Sequence, residues 1–231
     1  MKLSPFSLQH DWKLDWTIIP DSINVDNRVY IQYNRERNAL IALASVGLMT
    51  KNQLMKIFRL DEKQVRAMEK RFLILGHKLI RNKSTKTTLY TLNVKGAIAI
   101  KLDNYKPNYW LQYFPDDVLK RIIFFQTYEN LPRQPIIATP SPFVGGIDNG
   151  GAMIYVYISK GNNDDLIRYL KFEQQTNQRI VLVVETLGQL RTMEEYIKKL
   201  RVRVVIENDL LKNENIDTNI FYTYKDGKLI R

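Results

Sequence analysis

Apolar side chains recur at helical or strand spacing through most of the first hundred residues. In RERNALIALASVG, from Arg35, Ala39, Leu40, Leu43, Ala44 and Val46 follow the helical period, and Gly47 offers a stop. Thr50 can cap a short second helix through Phe58 that turns Leu54, Ile57 and Phe58 inward and Lys51 and Lys56 outward. Beyond Arg59-Leu60, Asp61 can cap a longer third helix, EKQVRAMEKRFLIL, with Val65, Met68, Phe72 and Leu75 as its apolar stripe and Gly76 as its end. The segments HKLIRN and TTLYTL, rich in β-branched and aromatic residues, flank KSTK and predict a hairpin. Lys83 and Lys86 are expected at its tip and Arg81 on its rising strand, and Asn93 can cap a closing helix, VKGAIAIKL.

The pattern changes after Pro107 and Pro115. PDDVLKRIIFFQTYEN predicts a helix, and prolines 132, 135, 140 and 142 then space two short strand candidates, PIIAT and PFVGGID. AMIYVYIS, RIVLVVET and VRVVIEN are nearly continuous apolar runs, as expected of strands buried on both faces, and they alternate with helical NDDLIRYLKFEQQ and LGQLRTMEEYIKKL. NIFYTY reads as an edge strand. The expected class is therefore α+β: a winged helix-turn-helix domain followed by an α/β domain with a mixed sheet. The expected division is an N-terminal arm over 1–34, the winged helix over 35–104, a linker and helix over 105–135, and the α/β domain over 136–231.

Charge changes what the first half is for. The chain of 231 residues has a formal net charge of +11, and residues 51–101 hold thirteen basic against three acidic side chains, which is nearly the whole excess. Packing so much like charge together is unfavourable unless a polyanion uses it. Lys51, Lys63, Gln64, Arg66, Lys70 and Arg71 on the third helix and its approach, with Arg81, Lys83 and Lys86 on the hairpin, are the candidate DNA contacts. The helix would enter the major groove and the hairpin tip would follow the backbone. An acidic protein partner is the competing use of such a surface. Because one such domain covers little DNA, a homodimer is expected. Trp12 and Trp16, at i,i+4 spacing in the arm, are expected to pack within the molecule, and Tyr105, Tyr109, Trp110, Tyr113 and Phe114 to form a core between the domains rather than stack on bases.

Zero cysteines exclude disulfides, thiolate nucleophiles and cysteine-held metals, and the two histidines, His10 and His77, are far apart in sequence, so no metal or cofactor is expected. No apolar run is long enough to cross a bilayer and no signal sequence is evident, so a cytoplasmic protein without membrane contact is expected. Phosphate-binding glycine loops and a Gly-x-Ser-x-Gly elbow are absent from the sequence.

The element order of the second half resembles the restriction-endonuclease-like fold. In active members an Asp ends one strand of a hairpin and an acid-x-Lys triplet lies on the next, so that two carboxylates hold Mg²⁺ while the lysine serves the attacking water. Asp148 and Lys160 occupy two of these places, but the triplet is Ile158-Ser159-Lys160, and isoleucine cannot bind a cation. A degenerate site is expected unless Glu173 or Glu185 supplies the missing acid, and a metal-dependent nuclease or nickase is the alternative function. Asp148 has a simpler use in the turn with Asn149, Gly150 and Gly151.

The stretch from Ala39 to Ile100 resembles the replication-relaxation family of Gram-positive plasmids and other mobile elements. Gly47-Leu48, Thr50 and Gln53-Leu54 fit its "G-L-x-T-x-x-Q-L" helix start, and Gly76, Arg81, Tyr90, Leu92 and Gly96 fit its "G-x-x-x-R" and "Y-x-L-x-x-x-G" hairpin segments. The resemblance implies a DNA-binding protein of a plasmid, phage or other mobile element, acting in replication, transfer or transcriptional control with a replication or transfer protein as partner.

Overall fold

A computed structural model describes residues 3–20, 29–131, 133–172, 179–198, 200–212, 220–225 and 228–231. The protein is a mixed α and β molecule of two compact units, one formed by residues 6–122 and the other by 1–5 with 123–231. The first unit thus runs past the expected limits of 35 and 104, and the boundary falls inside a helix.

In the first unit, strand β1 (Trp12–Asp15) precedes helix α1 (Asn34–Val46), strand β2 (Leu48–Thr50), helices α2 (Lys51–Phe58) and α3 (Glu62–Lys70), strands β3 (Ile74–Arg81) and β4 (Thr85–Leu92), and helix α4 (Val94–Ala99). The caps are where the sequence puts them. Thr50 and Asp61 each accept the backbone N–H three residues on, and Gln53 and Gln64 return the bond to the cap's own N–H. Each cap is worth about 1 kcal/mol. Asn93 caps α4, and Gly47 ends α1 at φ 103°, where a β-carbon would also stand 2.5 Å from the Tyr113 hydroxyl.

Helix α3 is shorter than its apolar period predicts. It stops at Lys70 through paired bonds, Phe72 N–H to the Glu69 carbonyl and Leu73 N–H to the Met68 carbonyl, with Phe72 at φ 58° and exposed. Leu73 and Ile74 are fully buried, and Ile74 begins β3, paired with Leu92. Phe72 and Leu75 therefore do not continue the stripe. Burying Leu73 and Ile74 in the sheet outweighs another helical turn, and Gly76 lies within the strand.

The sheet has the order β1-β3-β4-β2 and is antiparallel throughout. The arm is therefore not a separate piece: β1 covers the open edge of β3. Asn82, in the hairpin turn, exchanges bonds with Asp11 and ties the tip to the arm. On one face of the sheet, Leu48, Leu79 and Leu89 pack with Val118, Leu119 and Ile122 of helix α5 (Pro115–Glu129) and with Trp12, Trp16 and Tyr113. The aromatic group after α4, expected between the domains, makes its contacts within this unit. Trp110 is buried and donates to the Thr17 carbonyl, Tyr109 to Gly47 and Tyr105 to Leu92, while Phe114 is exposed.

His77, on β3, is buried in this core. Its Nδ1 accepts the Thr17 N–H at 3.0 Å, so Nε2 carries the proton and donates to Thr91 at 2.8 Å. Trp16 and Trp110 flank the ring, and burial pushes its pKa down to about 4.

The second unit is a seven-stranded mixed sheet in the order β11-β10-β9-β8-β7-β6-β5. Its elements are β5 (Ile136–Ile137), β6 (Gly145–Asn149), β7 (Ala152–Ile158), α6 (Asp164–Phe172), β8 (Arg179–Val184), α7 (Glu194–Ile197), β9 (Arg201–Ile206), α8 (Glu207–Lys212), β10 (Tyr222–Lys225) and β11 (Lys228–Ile230). Only β7, β8 and β9 run parallel. Their alternate residues are buried on both sides: Leu182 and Val204 toward α6 and α7, and Val156, Val181, Val183 and Val205 opposite. The expected long helix from Leu187 is a 3-10 segment (Leu187–Thr192) followed by the single turn of α7. The expected edge strand, β10, is interior because β11 pairs with it.

Candidate nucleic-acid interface

Helix α3 buries Val65 and Met68 and leaves Lys63, Arg66 and Lys70 exposed, at positions three, four and seven apart along one side. The hairpin supplies a second cationic surface by alternation. Gly76, Lys78 and Ile80 of β3 share a face with Tyr90, Thr88 and Lys86 of β4 through the ladder. This face looks toward α3, since the Tyr90 hydroxyl donates to Glu69 and a β-carbon on Gly76 would meet the same carboxylate. Lys78, which sequence reasoning left out of the site, therefore belongs with Lys86 and α3. The two-residue period of β3 was the signal for it.

The candidate residues divide by what already holds them. Among the described residues no carboxylate lies within 4 Å of Lys63, Lys70, Lys78, Lys83 or Lys86. Lys83 is in the hairpin turn at φ 60°, and Lys86 is one register step down β4, opposite Ile80, rather than at the tip. Arg81 is half-buried on β3. Lys51 and Arg66 share Glu62, at 2.6 and 2.9 Å, and the two cations hold that carboxyl below its ordinary pKa. These pairs are solvent-exposed and weak, so a phosphate can replace Glu62 on either cation. Gln64 has its carbonyl oxygen occupied by the Asp61 N–H.

Arg71 is spent inside the fold. Its guanidinium donates to the carbonyls of Ala67 and Tyr30 and to Glu36 at 2.7 Å, and Glu36 is 1% exposed. It is the counter-ion of a buried carboxylate and is withdrawn from the candidate contacts.

Asp148 and Lys160 are not brought together. Asp148 pairs with Met153 near the start of β7, and Lys160 lies seven residues further on, past the strand's other end. At about 3.3 Å per residue the two are separated by roughly 20 Å. Asp148 accepts the Gly151 N–H and closes the turn formed by Gly150 and Gly151 at positive φ. Lys160 does meet Glu185, at 2.8 Å, and also Glu207, at 2.6 Å, which sequence reasoning missed. The three follow β7, β8 and β9 at their carboxyl ends, and Ser4 donates to Glu207. The lysine ammonium, fully buried, occupies the position between the carboxylates that a divalent ion would need. Glu173 lies outside the described residues. Among the described residues no cluster of three or more His, Asp or Glu could hold a metal ion, and no helix is long and apolar enough to cross a membrane.

Compared with known proteins, the chain matches no family model, no curated protein and no solved structure.

Proposed function

We propose that the protein binds double-stranded DNA as a winged helix-turn-helix, with α3 in the major groove and the β3–β4 hairpin against the adjacent backbone. The observation that carries this reading is that Lys63, Arg66 and Lys70 share one exposed side of α3, while the hairpin face that bears Lys78 and Lys86 is the one that meets α3, through Tyr90 and Glu69. Five exposed cations on a helix and the hairpin face turned toward it match the form and charge of a duplex. Lys83 extends the surface, and the tie between Asn82 and Asp11 stiffens the hairpin that presents it. The resemblance to the replication-relaxation family suggests a role in replication, transfer or gene control of a mobile element, and because one such domain covers little DNA, the protein would act as a dimer on paired half-sites. The roughly 20 Å between Asp148 and Lys160 weighs against the nuclease alternative.

Fluorescence anisotropy with labelled duplex tests the reading. Replacing Lys63, Arg66 and Lys70 together by alanine is expected to weaken binding at least about a hundredfold and to flatten the salt dependence, by about 0.9 in logarithmic slope for each phosphate no longer neutralised. Unchanged affinity, or capture of an acidic protein with indifference to DNA, would reject it.

A further inference from the structure

The second unit holds a different concentration of cations that the DNA reading does not use. The parallel register sets Arg179 of β8 beside Arg201 of β9, and Arg203 follows two residues along on the same face. Like charges directly beside one another in a sheet are unfavourable. All three arginines are nonetheless exposed, and among the described residues no carboxylate lies within 4 Å of any of them. They line a cleft of about 540 Å³. Its walls combine them with Asn149 and Thr223 on one hand and Leu131, Ile154 and Leu200 on the other. Thr223 is level with Arg203 on the neighbouring strand, and Ile154 is level with Arg179. The Arg203 guanidinium also lies 5.9 Å from the Phe221 ring.

We infer that this cleft binds a nucleoside di- or triphosphate. A guanidinium presents paired N–H donors that fit phosphate oxygens, and three of them rooted on two adjacent strands suit linked phosphates better than a single anion. A cavity of this volume is in the range that takes a small organic molecule, and its apolar wall gives the nucleoside a surface that a bare polyphosphate would leave uncovered. None of the glycine-rich phosphate loops is present in the sequence, so the recognition would rest on side-chain guanidiniums rather than on backbone N–H groups. The ligand's charge would also remove the repulsion between Arg179 and Arg201.

Calorimetric titration of the full chain with ATP, GTP, ADP and sodium tripolyphosphate decides the matter. Saturable binding of at least one nucleotide, tighter than tripolyphosphate, is expected. An Arg201→Gln/Arg203→Gln variant should lose about a hundredfold in affinity, and Arg179→Gln about tenfold. Both variants alter exposed side chains, so unchanged thermal unfolding is the check that they fold. The Lys63→Ala/Arg66→Ala/Lys70→Ala variant should keep nucleotide affinity whatever becomes of its DNA binding, which separates this site from the α3 surface. No saturable nucleotide binding, equal binding by the arginine variants, equal affinity for tripolyphosphate, or oligonucleotide bound in the cleft instead of free nucleotide would each overturn the inference.

Discussion

Lysine is used in opposite ways at two places in this molecule. Lys63 and Lys70 stand on the outer side of α3 with no carboxylate within 4 Å among the described residues, whereas Lys160 is fully buried between Glu185 and Glu207. An exposed ammonium keeps its hydration and contributes nothing the fold requires, so it remains available to an outside anion. A buried ammonium has lost its water and is tolerable only because two carboxylates replace it. Arg71 stands between these extremes, reaching from the end of α3 to the buried Glu36. Position on a basic helix therefore does not make a cation a ligand-binding group; the state of its nearest carboxylate does.

The contrast can be broken most sharply at Lys160. Lys160→Met would leave two carboxylates without their counter-ion and is expected to lower unfolding stability by about 3–5 kcal/mol in urea titration. Adding Glu185→Gln and Glu207→Gln should recover most of the loss. Full stability of the single variant would mean that the pairs carry no weight. Arg71→Met should cost about 2–3 kcal/mol because it strands Glu36, with DNA affinity unchanged once the protein is folded.

His77 tests a different solution to burial, a titratable ring kept neutral. The unfolded chain gains a proton near pH 6.5, while the folded chain resists until about 4. Stability is therefore whole above pH 6.5 and falls as pH drops toward 4, by up to about 3 kcal/mol. In His77→Gln that segment of the pH–stability curve should be flat.

Smaller effects sharpen the exposed side of the comparison. Phe72→Gly relieves a left-handed backbone at an exposed position and is expected to stabilise by up to about 1 kcal/mol, read as a raised melting temperature. Lys63→Met with Lys70→Met should stay within about 0.5 kcal/mol of the parent stability. The same pair should still remove most DNA affinity; a large stability loss would show that these lysines serve the fold after all.

Features governed by a few neighbouring residues were legible in the sequence. Thr50, Asp61 and Asn93 cap where expected because a cap involves only the next three residues, and Gly47 stops α1 because its φ is open to few other residues. The apolar runs of β7, β8 and β9 marked strands covered on both faces, since such strands have no polar side to alternate. What depended on distant partners was not legible. Phe72 to Leu75 fit a helical stripe until β4 offered Ile74 a strand partner, and a phenylalanine at the left-handed position concealed the stop that glycine would have announced.

The candidate site follows the same division. Sequence alone gathered the positive charge into residues 51–101 and fixed which α3 side chains point away from the apolar stripe, because helical period is a local property. Tertiary structure alone turned Arg71 inward to Glu36, closed Lys160 between residues 25 and 47 positions away, and aligned Arg179 with Arg201. Charge pairing and strand register are set by which segments meet in space, and no spacing along the chain encodes that meeting.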